Sequence, residues 1–316
     1  ILKYNQKNYP LFLYKLYDHC KLIKNIFTDR KKIKNNSNCN SPFFIIGSGR
    51  SGNTLLRAVL CNHSKISIPP ESYVLPNMVR KFKSYNYLPW KELIKIIIGE
   101  LESHNQFYTW EIDISPVYQR LLKIDNKDRT LQTIVNEIYT YYSEEKFPGF
   151  EIWGDKTPLN TLNLGWINKL YPNAKYIHII RDGRDVVSSY LKMGRYDTVE
   201  EACQRWNNSI NLAKKFGSNK GERQYYEIRY ENFVTNPKDE INKVCNFLNI
   251  EYEKGMTDHR NSIDVLGDVK KLKHHNNLKR PINDDSIEKW KKNLNKKEKC
   301  LTNKYLEENL QKLGYY

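Results

Sequence analysis

The sequence predicts an α/β fold of three layers, with a mostly parallel central sheet flanked by helices. Three observations predict it. A strand-like apolar run at 43–46 ends in a glycine-rich turn and opens into a helical apolar pattern. A second run at 176–180 does the same through an arginine-containing turn. Strand and helix patterns then alternate again, with a strand expected over 225–230 and a helix over 237–248. The 316 residues, 39% hydrophobic and 13% aromatic, suffice for a large core. In such a sheet a ligand is expected at the carboxyl ends of the strands.

Taken in order, residues 1–40 are expected to form an N-terminal helix and basic linker, and 41–316 a single domain. The first part is aromatic from Tyr9 to Tyr17, basic from Lys21 to Lys34 and polar from Asn35 to Asn40. A helix packed on the domain and a membrane-surface contact through the basic face are its two readings. Next comes PFFIIGSGRSGNTLLR at 42–57. Glycines let a backbone bend around an anion, and a helix N-terminus adds free N–H groups and a positive dipole end. Gly47 and Gly52 keep the G-x-x-x-x-G spacing of a P-loop, so the fold reads as P-loop-like. A nucleoside-triphosphate loop needs Lys at the next position, where this chain has Asn53; the positive charge sits inside the loop, at Arg50. The loop therefore reads as a grip for an anionic nucleotide other than a magnesium-bound triphosphate. An ordinary strand–helix turn is the plain alternative.

A short strand at 65–68 leads to Pro69-Pro70-Glu71, with a helix expected from Ser72 to Val79. Residues 77–150 read as a helical insertion that covers the site, with helices near 93–101 and 131–142. Its aromatic residues Tyr85, Tyr87, Trp90, Phe107, Tyr108 and Trp110 suit either stacking on an acceptor ring or core packing. The second turn, Arg181-Asp182-Gly183-Arg184-Asp185, carries two arginines, whose planar donor forks suit phosphate. A salt-bridged helix start capped by Asp182 is the alternative. Two such turns suggest two anionic ends of one ligand.

The net charge of +16 implies anionic ligands or surfaces, although lysine is spread along the whole chain as on a solvated surface. No zinc-finger, RNP-type or basic-zipper signature is present, so no nucleic acid is expected. None of the six cysteines forms C-x-x-C, and Cys61, Cys203 and Cys245 read as buried thiols. The histidines show no metal-ligand spacing, so no metal is expected. No apolar stretch reaches about 18 residues, and cytoplasmic localisation is expected. The chain begins at Ile1 and not Met, which leaves open an upstream targeting or anchor segment.

At this point several segments resemble the sulfotransferases that use 3′-phosphoadenosine 5′-phosphosulfate (PAPS), especially the tyrosylprotein-type and related bacterial enzymes. GSGRSGNT is similar to their 5′-phosphosulfate loop, and IIRDGRDVVSSY to their 3′-phosphate motif. Trp153-Gly154-Asp155-Lys156-Thr157-Pro158 is similar to the GDKTP element. Glu227-Ile228-Arg229-Tyr230-Glu231-Asn232-Phe233, with Asn236-Pro237, is similar to the RYEDLV…P segment. Lys279-Arg280-Pro281, followed by Ser286, Ile287 and Trp290, resembles the C-terminal K-P…S-I-x-x-W stretch. The resemblance runs from about Phe43 to about Trp290.

It implies in-line transfer of a sulfuryl group from PAPS to a hydroxyl of a carbohydrate, lipid or tyrosyl acceptor. Gly49, Arg50, Ser51, Gly52, Asn53 and Thr54 would meet the phosphosulfate, Arg181 and Ser189 the 3′-phosphate. Tyr230, Lys279 and Arg280 would complete the nucleotide site. Glu71 matches the family's general base, with a helix-cap acid as its alternative. Lys156 would be a second cation near the transferred group, or else a turn lysine. Cytosolic small-molecule enzymes use a histidine base; His104 is the nearest here, while His178 reads as core. Asn53 stands where most members have Thr, and Tyr73 where the tyrosylprotein-type enzymes carry an Arg that helps hold an acidic peptide. Two other classes stay open: a P-loop kinase or NTPase, with Asp182 after a Walker B-like strand, and a noncatalytic anion- or glycan-binding relative.

Overall fold

The structure is a computed structural model that describes residues 30–34, 41–260, 266–271, 278 and 280–316, with 16, 19, 20 and 23. The strands β1 (Phe43–Ile46), β2 (Ile66–Ser67), β3 (Ile152–Lys156), β4 (Lys175–Ile180) and β5 (Tyr225–Arg229) form one sheet in the order β2-β3-β1-β4-β5. Every pairing is parallel. Strand β1 is central, and all four of its residues are buried. Successive side chains of a strand point to opposite faces. Phe44 and Ile46 accordingly join one core cluster, and Phe43 and Ile45 another. A strand covered on both faces reads as an unbroken apolar run, which is what the sequence shows here.

Helix α1 (Asn53–Leu60) packs in the second cluster, with the two later helices Tyr230–Thr235 and Pro237–Leu248. The first cluster is built by α2 (Leu75–Tyr85), α3 (Trp90–Glu102), α4 (Ser115–Leu122), α5 (Leu131–Lys146) and α6 (Leu164–Leu170). The helices of the expected insertion are therefore one face of the main core and not chiefly a cover. Trp90 and Trp110 are buried in it, while Tyr85 and Tyr108 point to solvent. Helix α2 starts at Leu75, later than expected, after Val74 as its N-cap. The two prolines and a left-handed Tyr73 (φ 59°) keep the segment before it irregular, so Glu71 is not a helix cap.

On the far side of β4, α7 (Gly183–Lys192) and α8 (Val199–Ser218) pack with the C-terminal helix Lys296–Lys312. Thr198 and Glu201 close a capping box at the start of α8. After β5 come α9 (Tyr230–Thr235), α10 (Pro237–Leu248), α11 (Gly267–Lys271), α12 (Trp290–Asn293) and α13 (Lys296–Lys312). The expected N-terminal helix and Lys279 lie outside the described residues, apart from scattered positions of the former. Residues 31–33 are tied to the α-helical layer: the Lys31 N–H donates to Asn86 O (3.1 Å), and the Gln132 N–H to Ile33 O (2.8 Å). Cys61, Cys203 and Cys245 are buried free thiols. Among the described residues no helix is long and apolar enough to cross a membrane.

Candidate active site

The carboxyl ends of the strands all deliver polar groups to one side of the sheet. There a cavity of about 520 Å³ opens, lined by Gly49, Arg50, Glu71, Tyr73, Arg181 and Tyr230 among others.

The loop after β1 is shaped by backbone. Gly47 has φ 145°, and a Cβ there would sit 2.5 Å from the Ile179 carbonyl oxygen. Its N–H donates to Thr161 Oγ1 (2.8 Å), whose hydroxyl donates back to Gly47 O (3.0 Å). Gly52 has φ 94°, and a Cβ would meet the Tyr230 ring at 2.5 Å. Arg50 adopts the left-handed region (φ 66°), which costs a non-glycine residue about 1–2 kcal/mol. Asn53 lines the cavity, and its Nδ2 donates to Ser48 O (2.7 Å), which closes the loop. Ser51 is buried and lies behind the cavity wall.

The two expected phosphate turns meet through Arg50. Its Nε donates to Ser189 Oγ of α7 (3.1 Å), and its carbonyl accepts from Arg181 Nη1 (3.0 Å). Arg181 lies over the Tyr230 ring (4.5 Å) and donates to Ser286 O (2.5 Å). Its Nε is buried without a partner in the protein. Burial, and then the neighbouring Arg181, lower the pKa of the Arg50 guanidinium. Two adjacent guanidiniums beside a glycine-shaped loop call for an anion, and an anion bearing charge at two places fits them best. The other arginine of the second turn is structural: Arg184 pairs with Asp182 (2.7 Å), and Asp182 caps α7. Thus the salt-bridged helix start takes up Arg184, while Arg181 lies 3.8 Å from Asp185 Oδ2 and also lines the cavity. Arg280 also lines the cavity, as do Ser286 and Lys289.

The other end holds a chain of buried charges. Lys156, the last residue of β3, is fully buried and is no turn lysine. Its Nζ donates to Glu71 Oε1 (2.5 Å) and Thr54 Oγ1 (3.3 Å), and lies 3.9 Å from Asp268 Oδ2. Asp268 Oδ1 in turn accepts from Arg57 Nη1 (2.5 Å). The loop that carries Glu71 is pinned on both sides of Ser72. The Ser72 N–H donates to Thr157 Oγ1 (3.1 Å) and its hydroxyl to Asp155 Oδ2 (3.1 Å). Burial raises the Asp155 carboxyl, which also accepts from Tyr139 and Asn160. So the GDKTP-like segment supplies both the cation and the anchor of the facing carboxylate.

Tyr73 stacks on His104, with ring centroids 4.8 Å apart and planes 17° from parallel. Burial and the Glu71 carboxylate push its phenol pKa well up. His104 Nδ1 accepts the Gln106 N–H (3.2 Å). His178 is buried in β4 beside Tyr225 (2.6 Å) and does not line the cavity. None of the insertion aromatics named from the sequence lines it either; His104, Asn105, Gln106 and Thr109 are the insertion's contribution. Sequence reasoning missed Asp268, Tyr190, Arg195 and Arg205 as lining residues. Asp268 belongs to no motif and stands 211 residues from its partner Arg57, so no local signal marks it.

The sequence profile of the sulfotransferase family matches residues 42–254. The chain belongs to the sulfotransferase family. This sulfotransferase is 26% identical over 261 residues to a putative protein-tyrosine sulfotransferase of Caenorhabditis briggsae, covering 80% of this chain and 82% of that one. It is 24% identical over 263 residues to protein-tyrosine sulfotransferase A of Caenorhabditis elegans, covering 80% of this chain and 62% of that one. The sulfotransferase domain of the Synechococcus PCC 7002 olefin synthase shares the fold, with TM-score 0.61, 21% identity, and 88% and 98% of the two chains covered. The sulfotransferase domain of the curacin biosynthetic pathway does so with TM-score 0.56, 23% identity, and 86% and 99% covered. The family's co-substrate is PAPS, leaving 3′-phosphoadenosine 5′-phosphate (PAP) as product. In this sulfotransferase the matched span contains Arg50, Glu71, Lys156, Arg181 and Tyr230 but stops short of Asp268 and Arg280.

Proposed function

We propose that this protein transfers the sulfuryl group of PAPS to an acceptor hydroxyl, with Glu71 as general base. The observation that carries this reading is that a carboxylate held by a buried lysine opens onto the same cavity as the paired arginines. Arg50 and the N–H groups at the start of α1 suit the phosphosulfate, and Arg181 suits the 3′-phosphate. Arg280 and Tyr230 line the same cavity, which suits them to the rest of the nucleotide. As the acceptor oxygen bonds to sulfur and the sulfur–oxygen bond to the phosphate breaks, Glu71 takes the acceptor's proton. Lys156, bonded to Glu71 and Thr54, then loses its carboxylate partner as charge builds on the departing phosphate. That exchange suits Lys156 to the role of second cation. Transfer of this kind asks the protein for positioning and charge neutralisation, by analogy with phosphoryl transfer.

The kinase or NTPase reading finds little support. Asp182, its Walker B candidate, is taken up by Arg184 and the start of α7, and Asn53 closes the loop where a lysine is needed. On the acceptor side the Tyr73–His104 pair replaces an arginine with ring faces, which favours an acceptor that presents a ring, sugar or phenol, beside its hydroxyl.

The test is incubation with labelled PAPS, EDTA present, against panels of sugars, lipids, phenols and peptides, with PAP binding followed by calorimetry. Transfer to a hydroxyl of one panel is expected. PAP binding with no transfer to any panel would move the protein to the noncatalytic anion- or glycan-binding class. Tight MgATP binding without PAP binding would sink the proposal.

A further inference from the structure

Lys156 has two carboxylates near it, and only one of them belongs to a sequence motif. The other, Asp268, comes from the short helix α11, which packs directly on the insertion. A Cβ built on the preceding Gly267 would lie 2.2 Å from the Thr109 carbonyl oxygen, so the backbone of α11 is pressed against that residue. This contact places Asp268 between two fully buried cations, Arg57 at 2.5 Å and Lys156 at 3.9 Å. Arg57 is further held by the Ile68 carbonyl (2.9 Å), at the root of the Glu71 loop.

Charge decides what this arrangement does. Arg57, Asp268, Lys156 and Glu71 form an alternating row whose charges cancel. When Glu71 accepts a proton, the row is left with two buried cations and one carboxylate. An unpaired buried ammonium is costly, so whatever remains near Lys156 governs how readily Glu71 is protonated. Glu71 is faced by Lys156, Arg50, Tyr73 and, from β3, Asp155. Asp268 is faced by Arg57 of α1, Cys61 just after it, Tyr142 of α5, Lys156 and Tyr73, and the Glu111 carboxyl lies beside the neighbouring Gly267. Of the carboxylates in that surrounding, Asp268 is the one within 4 Å of Lys156 besides Glu71 itself.

We propose that Asp268 is a positioning residue for sulfuryl transfer, keeping a counter-charge on Lys156 while Glu71 takes up the acceptor's proton. The proposal rests on the reading of Glu71 as base. It also gives the segment after α10 a part in the reaction that the family motifs do not mark.

The experiment is the pH dependence of kcat/KM for transfer by Asp268→Asn, alongside PAP affinity and thermal stability. Removing the negative charge leaves the row net positive, which favours the Glu71 carboxylate over its acid. The acidic limb of the profile should therefore move to lower pH. The plateau should fall about tenfold, because a weaker base accepts the proton less readily. PAP affinity should stay as in the wild type. The double variant Arg57→Gln/Asp268→Asn restores a neutral row and should return the limb toward its original position. Gly267→Ala, which pushes α11 off Thr109, should shift the limb as Asp268→Asn does, and it carries the same readout if Asp268→Asn fails to fold. An unmoved limb in a folded variant, or a double variant as shifted as the single one, would overturn the proposal. Near wild-type transfer by Glu71→Gln would instead remove the base reading beneath it, so the two failures are distinguishable.

Discussion

The proposed nucleotide end and the proposed acceptor end of the cavity are built on different plans. The nucleotide end is made of continuous segments: the loop 47–54 after β1 and the turn after β4, joined where Arg181 donates to the Arg50 carbonyl. Its shape comes from backbone, with left-handed residues at Arg50 and Gly52. The acceptor end is made of single side chains from separate elements. Glu71 follows β2, Lys156 ends β3 and Asp268 comes from α11. Backbone cradles need fixed local spacing, because successive N–H groups must point one way. Ion pairs need only that two side chains meet, whatever their distance along the chain. The difference teaches that one end is rigid by local geometry and the other by mutual charge neutralisation.

The sharpest way to separate the two ends is Glu71→Gln. Transfer should fall by about 10²–10⁴-fold, the range for a positioned base. PAP affinity, measured by calorimetry, should barely change, because the hydrogen bond at Glu71 runs to Lys156. Weakly acidic phenol acceptors should recover part of the rate, since their proton leaves with less help. A parallel loss of PAP binding would show that the two ends do not act separately.

At the nucleotide end, Arg181→Ala should weaken PAP far more than adenosine 5′-phosphate. A lost charge-assisted contact is worth about 1.5–3 kcal/mol, on the order of ten- to a hundredfold in affinity. The two ligands differ by the 3′-phosphate, so titrating both isolates it. Equal losses would mean that Arg181 acts through its bonds to Arg50 and Ser286 alone.

The smallest effect is expected from Gly52→Ala, which probes backbone shape without touching a charge. The added Cβ would collide with the Tyr230 ring at 2.5 Å, at a φ of 94° that alanine resists. A cost of about 1–3 kcal/mol should appear as a lowered thermal midpoint. PAP affinity should fall by less than in Arg181→Ala, and the acidic limb of the pH profile should stay in place. A shifted limb would show that the cradle and the charged row are coupled.

The parts of the site that were legible in the sequence are those that backbone geometry and strand periodicity impose. The run from Phe43 to Ile46, the glycine spacing at 47 and 52 and the arginine turn at 181 are local patterns. The buried strands followed from their unbroken apolar runs, and an all-parallel sheet followed from strands alternating with helices. Helix α2 starts later than its apolar pattern implied, because a left-handed residue at Tyr73 cannot be read from a tyrosine. The insertion aromatics were ambiguous for a similar reason. A ring suits a core or a stacking surface equally well, and only packing put Trp90 and Trp110 inside.

By itself, then, the sequence determined the fold class, the family and the glycine-shaped loop at 47–52, since these rest on spacings of a few residues that the peptide backbone converts directly into shape. Tertiary structure alone decided that Arg184 is a helix-start ion pair while Arg181 faces the cavity. It decided that Asn53 closes the loop, and that Asp268 joins Arg57 across 211 residues of chain. Those contacts depend on where folded elements bring charged side chains together. Coulomb attraction acts through space and leaves no period in the sequence.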